Sequence, residues 1–373
     1  MKVLLLNQIP EVNNKYTFSL ADAISKQGVD IVVCGIEDDN VESYSTTYLP
    51  YFYSYSKVNG LLNKVKSYKK SWDRVYKYCI DNKIDIVHVQ WYIFSPLDYH
   101  YHKKLRKKGI KVVTTIHDLL PFNKKFYDFH YHKKIYRSAQ HVITQAEMNI
   151  ETLVKEFKVS KDKISYIPHG HYMEYAEKAT KEESREYLGI PMDKKVILFF
   201  GQIKKVKGVD VLIKALPEVI EKHKDVVCVI AGKVWKDDFQ NYDNMINELN
   251  ISDYVLKHIR FIDDSEIKYF FNACDVVALP YRQIYQSGVV LLAYAYEKVV
   301  VATTEGEFVN VIKDGETGLL VESENVEEYS KALNWCIDNY EMAQEYGRKG
   351  RLDLSHRLSW DVIAKDICVV YGK

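Results

Sequence analysis

Short apolar segments alternate along the chain with longer stretches in which apolar residues recur every three or four positions. The short segments are rich in Val, Ile and Leu and end in turn residues, whereas the longer stretches have the spacing of amphipathic helices. This alternation is typical of βαβ units and predicts parallel sheets. In the first half of the chain, strands are predicted at residues 2–7, 30–35, 85–90, 111–116, 140–144 and 164–168.

The second half of the chain repeats the alternation after a polar stretch at residues 176–185 that has no strand pattern. Strands are predicted at 195–200, 226–231, 255–261, 276–279 and 299–303, and helices at 209–223, 265–273 and 288–296. We therefore predict an α/β protein with two Rossmann-like, doubly wound domains, residues 1–185 and 186–355. A last helix at 356–373 is expected to pack back towards the first domain. Two such sheets predict a ligand in a cleft between the domains, at the strand carboxyl ends.

Composition supports a folded protein of ordinary domain size. The 373 residues are enough for two domains, and 47% apolar with 28% charged residues argues against disorder. The six cysteines form no CxxC pair, which argues against a disulfide framework or a zinc site and indicates a reducing compartment. The apolar stretch after Met1 is too short for a signal peptide or a membrane span, so we expect a cytoplasmic protein.

Charge is distributed unevenly. Residues 1–190 hold 29 basic and 22 acidic side chains, whereas residues 191–373 hold 23 basic and 29 acidic ones. Most of the basic excess lies in residues 57–137, with 19 basic against 6 acidic side chains. Aromatic residues are interleaved with them: Tyr68, Trp72, Tyr76, Tyr78, Trp91 and Tyr92. A solvated basic face is one interpretation, and peripheral attachment to an anionic membrane surface on its inner face is the other; no nucleic-acid module accompanies the charge.

The most specific segment runs Gly201-Gln-Ile-Lys-Lys-Val-Lys-Gly208, between a predicted strand and a predicted helix. Its glycines allow the backbone to approach a ligand closely, and Lys204 and Lys207 place ammonium groups at a helix start, where the dipole favours anions. The segment therefore predicts a diphosphate site. It lacks the GxxxxGK[ST] pattern of a Walker loop, and a glycine turn with solvated lysines is the simpler alternative.

A second segment, Leu279-Pro-Tyr-Arg-Gln-Ile-Tyr-Gln-Ser-Gly-Val-Val-Leu-Leu-Ala293, also joins a predicted strand to a predicted helix. Ser287 is a plausible N-cap, and the free N–H groups of Gly288, Val289 and Val290 can donate to phosphate oxygens. We expect this loop to face the first one across the sheet edge. An ordinary capped helix is the alternative.

Both segments resemble the nucleotide-sugar half of glycosyltransferase family 4, a retaining family with the GT-B architecture of two facing Rossmann-like domains. Further stretches resemble that family's motifs over nearly the whole chain: Asp85-Ile-Val-His-Val-Gln90, Thr114-Thr-Ile-His-Asp118, Ile164-Ser-Tyr-Ile-Pro-His-Gly170, Asp275-Val-Val-Ala-Leu-Pro280, Val299-Val-Val-Ala-Thr303 and Asp314-Gly-Glu-Thr-Gly-Leu-Leu-Val321. The resemblance implies a GT-B fold and transfer of a sugar from a nucleoside diphosphate.

The chain departs from the family pattern at several positions. The family's two motif glutamates fall on Tyr285 and Ala293, and its arginine in the first loop falls on Gln202. A later family glutamate falls on Asn310. The family's Gly-Gly loop after the first strand is replaced by Asn7-Gln-Ile-Pro-Glu-Val-Asn-Asn14. The chain therefore resembles a branch with Gln-Ser-Gly at the diphosphate.

The resemblance assigns roles to named residues. His117, which follows a predicted strand, is expected to hydrogen-bond the donor sugar, and it forms the predicted catalytic set with Lys204 and Lys207. Arg282 is either a rim residue or a donor contact. The residues expected to bind the donor are Gly201, Gln202, Tyr281, Gln286, Ser287, Gly288 and Val289.

The predicted activity is retaining transfer of a hexose from a nucleoside diphosphate sugar, UDP-sugar favoured over GDP-sugar, to a glycan acceptor that is lipid-linked. No Asp-x-Asp triplet occurs, so two lysines and two helix N-termini are expected to stabilise the leaving diphosphate without a metal. No other cofactor is expected. Two alternatives stay open, a nucleotide-sugar epimerase of the same architecture and a catalytically degenerate binding subunit.

Overall fold

The computed structural model describes residues 1–9, 14–36, 46–53, 58–121 and 124–373. It consists of two compact units. Unit 1 comprises Met1–Gly170 and Leu358–Lys373, and unit 2 comprises His171–Arg357. Each unit contains one parallel β-sheet with helices between successive strands, so the predicted α/β class with two doubly wound sheets is confirmed.

Unit 1 is built on a seven-stranded sheet with the order β3-β2-β1-β4-β5-β6-β7. Its elements in chain order are β1 (Lys2–Leu6), α1 (Asn14–Lys26), β2 (Asp30–Ile36), β3 (Tyr48–Phe52), α2 (Leu61–Asp81), β4 (Ile86–Val89), α3 (Ser95–Lys107), β5 (Lys111–Ile116), α4 (Asp128–Ser138), β6 (His141–Thr144), α5 (Asn149–Lys155) and β7 (Ile164–Tyr166). The last helix of the chain, α14 (Trp360–Gly372), packs against α1 in this unit.

The two faces of the unit 1 sheet bury different helices. On one face, α1 and α14 share an apolar core with β1 and β2. On the other face, α2 and α3 bury Tyr68, Trp72 and Tyr101 against the sheet. The prediction that Tyr68 and Trp72 serve as membrane-interface side chains is therefore wrong, because both are core residues with at most 2% of their surface exposed.

Unit 2 is built on a six-stranded sheet with the order β10-β9-β8-β11-β12-β13. Its elements in chain order are α6 (Lys181–Leu188), β8 (Lys195–Phe200), α7 (Val209–Lys222), β9 (Val226–Ala231), α8 (Gln240–Glu248), β10 (Val255–His258), α9 (Asp264–Ala273), β11 (Val276–Leu279), α10 (Gly288–Ala295), β12 (Val299–Thr303), α11 (Phe308–Val311), β13 (Leu319–Val321), α12 (Val326–Asp338) and α13 (Tyr340–Arg357).

The boundary between the units lies earlier in the chain than the predicted one at 185/186. That position falls inside α6, a helix closed at its start by a capping box between Thr180 and Glu183. α6 packs against α9 of unit 2, and the buried Arg185 guanidinium donates to the Asp275 carboxylate at 3.0 Å. These contacts make residues 171–185 part of unit 2.

In each sheet the strand order reverses at one place, which we call the switch point. It lies between β1 and β4 in unit 1 and between β8 and β11 in unit 2. The loops that follow two such neighbouring strands leave on opposite faces, and the gap between them is where doubly wound sheets bind ligands. The relevant loops are those after β1 and β4 in unit 1 and those after β8 and β11 in unit 2. Residues 10–13 of the first of these lie outside the described residues.

Candidate functional site

In unit 2 the two glycine-containing segments are the loops at the switch point of the sheet. The first follows β8 and contains a single 3-10 turn at Lys205–Lys207 before α7 begins. The second follows β11 and leads into α10. Both segments therefore lie beyond the carboxyl ends of adjacent strands, which is where a doubly wound sheet binds its ligand.

The two loops are in direct backbone contact. Gly208 has a φ of +65°, and a Cβ atom there would lie 1.8 Å from the Pro280 carbonyl oxygen. The Arg282 amide donates to the Val206 carbonyl at 2.8 Å. A Cβ on Gly201 would lie 3.5 Å from the Val289 side chain. Glycine is thus required at position 208 by both conformation and space, and the loops face each other as predicted.

Two lysines of the first loop lie on aromatic rings. Lys207 Nζ lies 3.7 Å from the centroid of the buried Tyr281 ring, and Lys204 Nζ lies 4.3 Å from that of Trp235. Burial, reinforced by the nearby charge of Lys204, lowers the pKa of Lys207 to about 7. Among the described residues, no carboxylate lies close enough to Lys207 to oppose this lowering of its pKa. An anion bound here would restore the charge that burial disfavours.

The start of α10 forms the other side of this site. Ser287 occupies the N-cap position, but its side chain makes no capping hydrogen bond. The hydroxyl is buried beside the Tyr281 phenol, where it partly opposes the rise that burial causes in the phenol pKa. Gly288 is exposed, and a Cβ on it would lie 3.3 Å from the Tyr172 ring. The first N–H groups of α10 therefore lack a side-chain acceptor and suit an anion.

In unit 1, His117 lies at the carboxyl end of β5 in a cage of neutral groups. Its Nε2 is 3.0 Å from Gln90 Oε1, and its ring stacks on Trp91 with centroids 4.1 Å apart. The Tyr16 ring meets it edge-on at 5.1 Å, and the Gln145 side chain lies close enough to oppose part of the lowering of the His117 pKa. His117 is 5% exposed, so its environment is set by these neighbours.

The histidines at this edge are neutral. Burial, together with His169, lowers the pKa of His117 to about 3, and burial lowers that of His88 to about 3. His88 Nδ1 lies 2.7 Å from the Tyr371 hydroxyl, and its Nε2 lies 2.8 Å from Thr115 Oγ1. Near pH 7 a His117 with this pKa is a neutral imidazole, which is too weak an acid to serve as a general acid but can donate one hydrogen bond and accept another.

Some buried polar atoms at this edge have no hydrogen-bond partner within the described part of the chain. They are Gln8 Nε2, Trp91 Nε1 and Gln145 Oε1, which follow β1, β4 and β6 respectively. Unpaired buried polar atoms are costly and are frequently explained by a ligand or an ordered water. Their chemistry, two donors and an acceptor without charge, suits hydroxyl groups.

Two family models match the chain, one in each unit. Residues 14–174 match the model of Glycosyltransferase Family 4, and residues 180–353 match that of Glycosyl transferases group 1. The two matches adjoin and together cover most of the chain. The chain belongs to glycosyltransferase family 4. The predicted resemblance is thereby confirmed.

Relatives of this family are similar over part of their length. The spore coat protein SA of Bacillus subtilis is 30% identical over 199 residues, which are 52% of this chain and 52% of that protein. A D-inositol 3-phosphate glycosyltransferase of Corynebacterium aurimucosum is 28% identical over 243 residues, 63% of this chain and 57% of that protein. The chain thus spans a little over half the length of these curated relatives.

Solved structures of glycosyltransferases share the fold along the whole chain. HepE of Anabaena, in a complex with UDP-glucose, has a TM-score of 0.78 at 18% identity and covers 100% of this chain and 99% of its own. The sucrose-phosphate synthase of Thermosynechococcus elongatus has a TM-score of 0.77 at 17% identity and covers 100% and 98%. The predicted two-domain GT-B fold is confirmed.

The predicted site residues fall into two groups. Gly201, Lys204, Lys207, Tyr281, Ser287, Gly288 and Val289 lie at the switch point of unit 2, together with the exposed Gln202 and the half-buried Gln286. His117 belongs to unit 1. Their roles stay predictions.

Several side chains at these edges were not predicted. Trp235 reaches Lys204 from the loop after β9, and Tyr172 reaches Gly288 from the start of unit 2. Gln90 and Gln145 surround His117. Gln90 was visible as the last residue of a family-like motif, whereas nothing in the local sequence around the others distinguishes them from ordinary surface residues.

Across the ranges that the structure describes, no three His, Cys, Asp or Glu side chains are grouped so that they could hold a metal ion. Within the same ranges, no helix combines the length and apolar character needed to cross a bilayer.

Proposed function

We propose that the protein binds a nucleoside diphosphate sugar at the switch point of the unit 2 sheet and transfers the sugar to an acceptor bound by unit 1. One observation carries this proposal. The loops after β8 and β11 meet where the topology places a ligand, and they bring the half-buried Lys207, which has no carboxylate partner among the described residues, close to the uncapped start of α10. A diphosphate is the anion that these groups fit.

The proposed chemistry needs charge stabilisation on the leaving diphosphate. Lys207 and Lys204 supply ammonium groups, and the N–H groups at the start of α10 supply fixed dipoles. The proposed reaction is metal-independent because these groups take the place of a cation. The family's motif glutamates are replaced by Tyr285 and Ala293, so no carboxylate nucleophile is offered there. We therefore propose a retaining reaction in which the leaving phosphate assists departure and attack on the same face of the sugar.

The proposed donor is a UDP-hexose. The UDP-glucose complex of HepE is consistent with this fold holding such a donor. The predicted role of His117 is a hydrogen bond to the donor sugar. To form it, His117 would have to give up its present contact with Gln90 or with Gln145.

The proposed acceptor is a glycan. The side chains that keep an unpaired buried polar atom at the carboxyl edge of the unit 1 sheet, Gln8, Trp91 and Gln145, are uncharged. Neutral amides and an indole N–H match sugar hydroxyls better than they match phosphate, which calls for cations.

A lipid-linked acceptor is proposed from the surface of unit 1. α2 begins with Leu61 and Leu62, each 77% exposed, and continues with Lys64, Lys66, Lys69 and Lys70 before its first carboxylate, Asp73. Phe126, just before α4, is 98% exposed and follows Lys124 and Lys125. Because β3, β4 and β5 run parallel, the helices after them start at the same edge of the sheet.

Exposed apolar side chains next to lysines are the combination that attaches proteins to an anionic bilayer. We propose that Leu61 and Leu62, rather than the buried Tyr68 and Trp72, enter the interface. The protein would then act as a peripheral protein on the cytoplasmic face of the membrane.

A turnover assay separates the proposal from its alternatives. UDP-glucose, GDP-mannose and ADP-glucose with labelled sugars would each be incubated with the protein, with and without a membrane lipid extract. Label transferred to the lipid fraction, dependent on the extract, supports the transferase. Released, modified sugar without any acceptor identifies an epimerase, and binding of a nucleotide without turnover identifies a binding subunit. No binding of any of the nucleotides would refute the donor site itself.

A further inference from the structure

Arg282 lies in the β11–α10 loop and joins three loops at the carboxyl edge of the unit 2 sheet. Its guanidinium donates to both carboxylate oxygens of Asp210, at 2.7 Å each, and Asp210 lies in the first turn of α7. It also donates to the Lys205 carbonyl at 2.9 Å and to the Glu324 carboxylate at 2.6 Å. Glu324 lies between β13 and α12 and has a positive φ of 64°.

These contacts rule out the idea that Arg282 is a direct donor contact in this conformation. Four hydrogen bonds from a guanidinium with five N–H groups leave little for a phosphate. The pKa of Asp210, which burial would raise, is lowered because Arg282 hydrogen-bonds and faces it, so both partners are charged. Two carboxylates around one guanidinium also give this cluster no net attraction for an anion.

Arg282 holds the Lys205–Lys207 turn, which contains the lysine of the proposed donor site. Its side chain binds the carbonyl of Lys205, and its own amide binds the carbonyl of Val206. Lys207 is the next residue, and it lies on the ring of Tyr281, the residue directly before Arg282. The β11–α10 loop, through Tyr281 and Arg282, therefore contacts three consecutive residues of the β8–α7 loop, Lys205–Lys207.

We propose that Arg282 is a positioning residue that holds Lys207 at the diphosphate-binding position without touching the ligand. This inference rests on the proposed donor site. A lysine at position 282 would keep the positive charge but not the planar fork that binds Asp210 and the Lys205 carbonyl together, because an ammonium group cannot make both contacts in that geometry.

The test uses Arg282→Lys with Arg351→Lys as the matched control. Arg351 is also a half-buried arginine of unit 2 that donates to a backbone carbonyl and lies near a carboxylate, but its partners, Ala295 and Glu297, lie next to the amino end of β12.

Two quantities are measured below the melting temperature of each variant. One is the dissociation constant of UDP, by calorimetry. The other is the rate at which Lys207 is acetylated in the ligand-free protein, by mass spectrometry.

We expect Arg282→Lys to weaken UDP binding roughly tenfold, since a small misplacement of a binding group has effects of this size or larger. Lys207 should be acetylated faster in this variant because the turn no longer holds it on the Tyr281 ring. Arg351→Lys should leave both quantities unchanged. Asp210→Asn should weaken binding as well, and adding Arg282→Lys to it should cost less than the sum of the single changes.

The outcomes separate this inference from the proposed function. Native UDP affinity in Arg282→Lys overturns the inference, whether or not the acetylation rate changes. Weaker UDP binding with an unchanged Lys207 acetylation rate also overturns it, because Arg282 would then act by another route. If the unaltered protein binds neither UDP, GDP nor ADP, the proposed donor site fails, and the acetylation rates alone decide whether Arg282 holds Lys207.

Discussion

The switch points of the two sheets have the same topology and opposite chemistry. In unit 2 the edge holds Lys204 and Lys207, and the start of α10 offers N–H groups that no side chain caps. In unit 1 the corresponding edge holds amides, an indole and the neutral imidazole of His117. The first edge suits an anion, and the second suits hydroxyl groups.

The difference shows that topology fixes where a ligand can bind, whereas the residues directly after each strand decide which ligand it is. Burial lowers the pKa of a group at each edge, that of Lys207 to about 7 and that of His117 to about 3. Near pH 7 a bound anion would shift Lys207 towards its charged form, whereas His117 stays neutral.

The largest effect is expected from Gly208→Ala, which removes the contact between the two loops of unit 2. The new methyl group would meet the Pro280 carbonyl oxygen at 1.8 Å, and the residue would have to keep a φ of +65°. Nucleotide binding should be lost, and the free energy of unfolding should fall by more than the roughly 1–2 kcal/mol of a left-handed conformation. Calorimetric titration and urea denaturation measure the two effects.

Gly189→Ala is the matched control for that change. Gly189 has a φ of +68° with nothing within 4 Å of a new Cβ, so it carries the conformational cost alone. It should lower stability modestly and leave nucleotide affinity intact. Equal losses of affinity in the two variants would contradict the assigned loop contact.

The next largest effect is expected from Lys207→Met, which removes one of the two lysines at the unit 2 edge. Binding of UDP should weaken by about 1.5–3 kcal/mol, the range for hydrogen bonds to charged groups. The melting temperature should not fall, since an ammonium group disfavoured by burial is removed. Lys331→Met, on α12, serves as the control and should change neither quantity. Unchanged UDP affinity would remove Lys207 from the site.

A smaller effect is expected at the surface of unit 1. Leu61→Asn with Leu62→Asn should reduce sedimentation with vesicles that contain anionic lipid, and changing Lys64, Lys66, Lys69 and Lys70 to Gln should do so most at low salt. Leu352→Asn is the control, because Leu352 is 60% exposed on α13 of unit 2. Equal binding of the unaltered protein to neutral and anionic vesicles, or no binding at low salt, would favour a soluble acceptor.

The smallest effect is expected at His117. Its imidazole NMR signals should not titrate between about pH 5 and pH 8, because burial holds its pKa near 3. Gln90→Glu would place a carboxylate 3.0 Å from Nε2 and should raise that pKa, since a nearby negative charge favours the protonated ring. A native His117 that titrates near pH 6.5 would mean that the cage is open to water.

Much of the fold was predictable because buried parallel strands are short runs of Val, Ile and Leu. Strands β5, β9, β11 and β12 have the predicted bounds. β3 was missed because Tyr48–Phe52 contains a proline and aromatic residues and lies at the edge of its sheet, where the pattern is weak.

The site was only partly predictable. The two unit 2 loops carry local signals, glycines and lysines between a strand and a helix, and the structure brings them together. The aromatic residues of α2 were misread, although Tyr68, Trp72, Val75 and Cys79 have the spacing of a buried helical stripe. The surroundings of His117 come from other strands, so no local pattern could indicate them.

Counting the protons taken up when UDP binds shows whether the switch point of unit 2 is a diphosphate site completed by Lys207. Calorimetric titrations at about pH 8.5, in two buffers of different ionisation enthalpy, give that number. The free protein has Lys207 mostly neutral at this pH, and the bound diphosphate favours its charged form, so binding should take up a proton and weaken as the pH rises above about 7. We expect uptake approaching one proton in the unaltered protein and none in Lys207→Met. UDP binding with no proton uptake, or the same uptake in Lys207→Met, would contradict it.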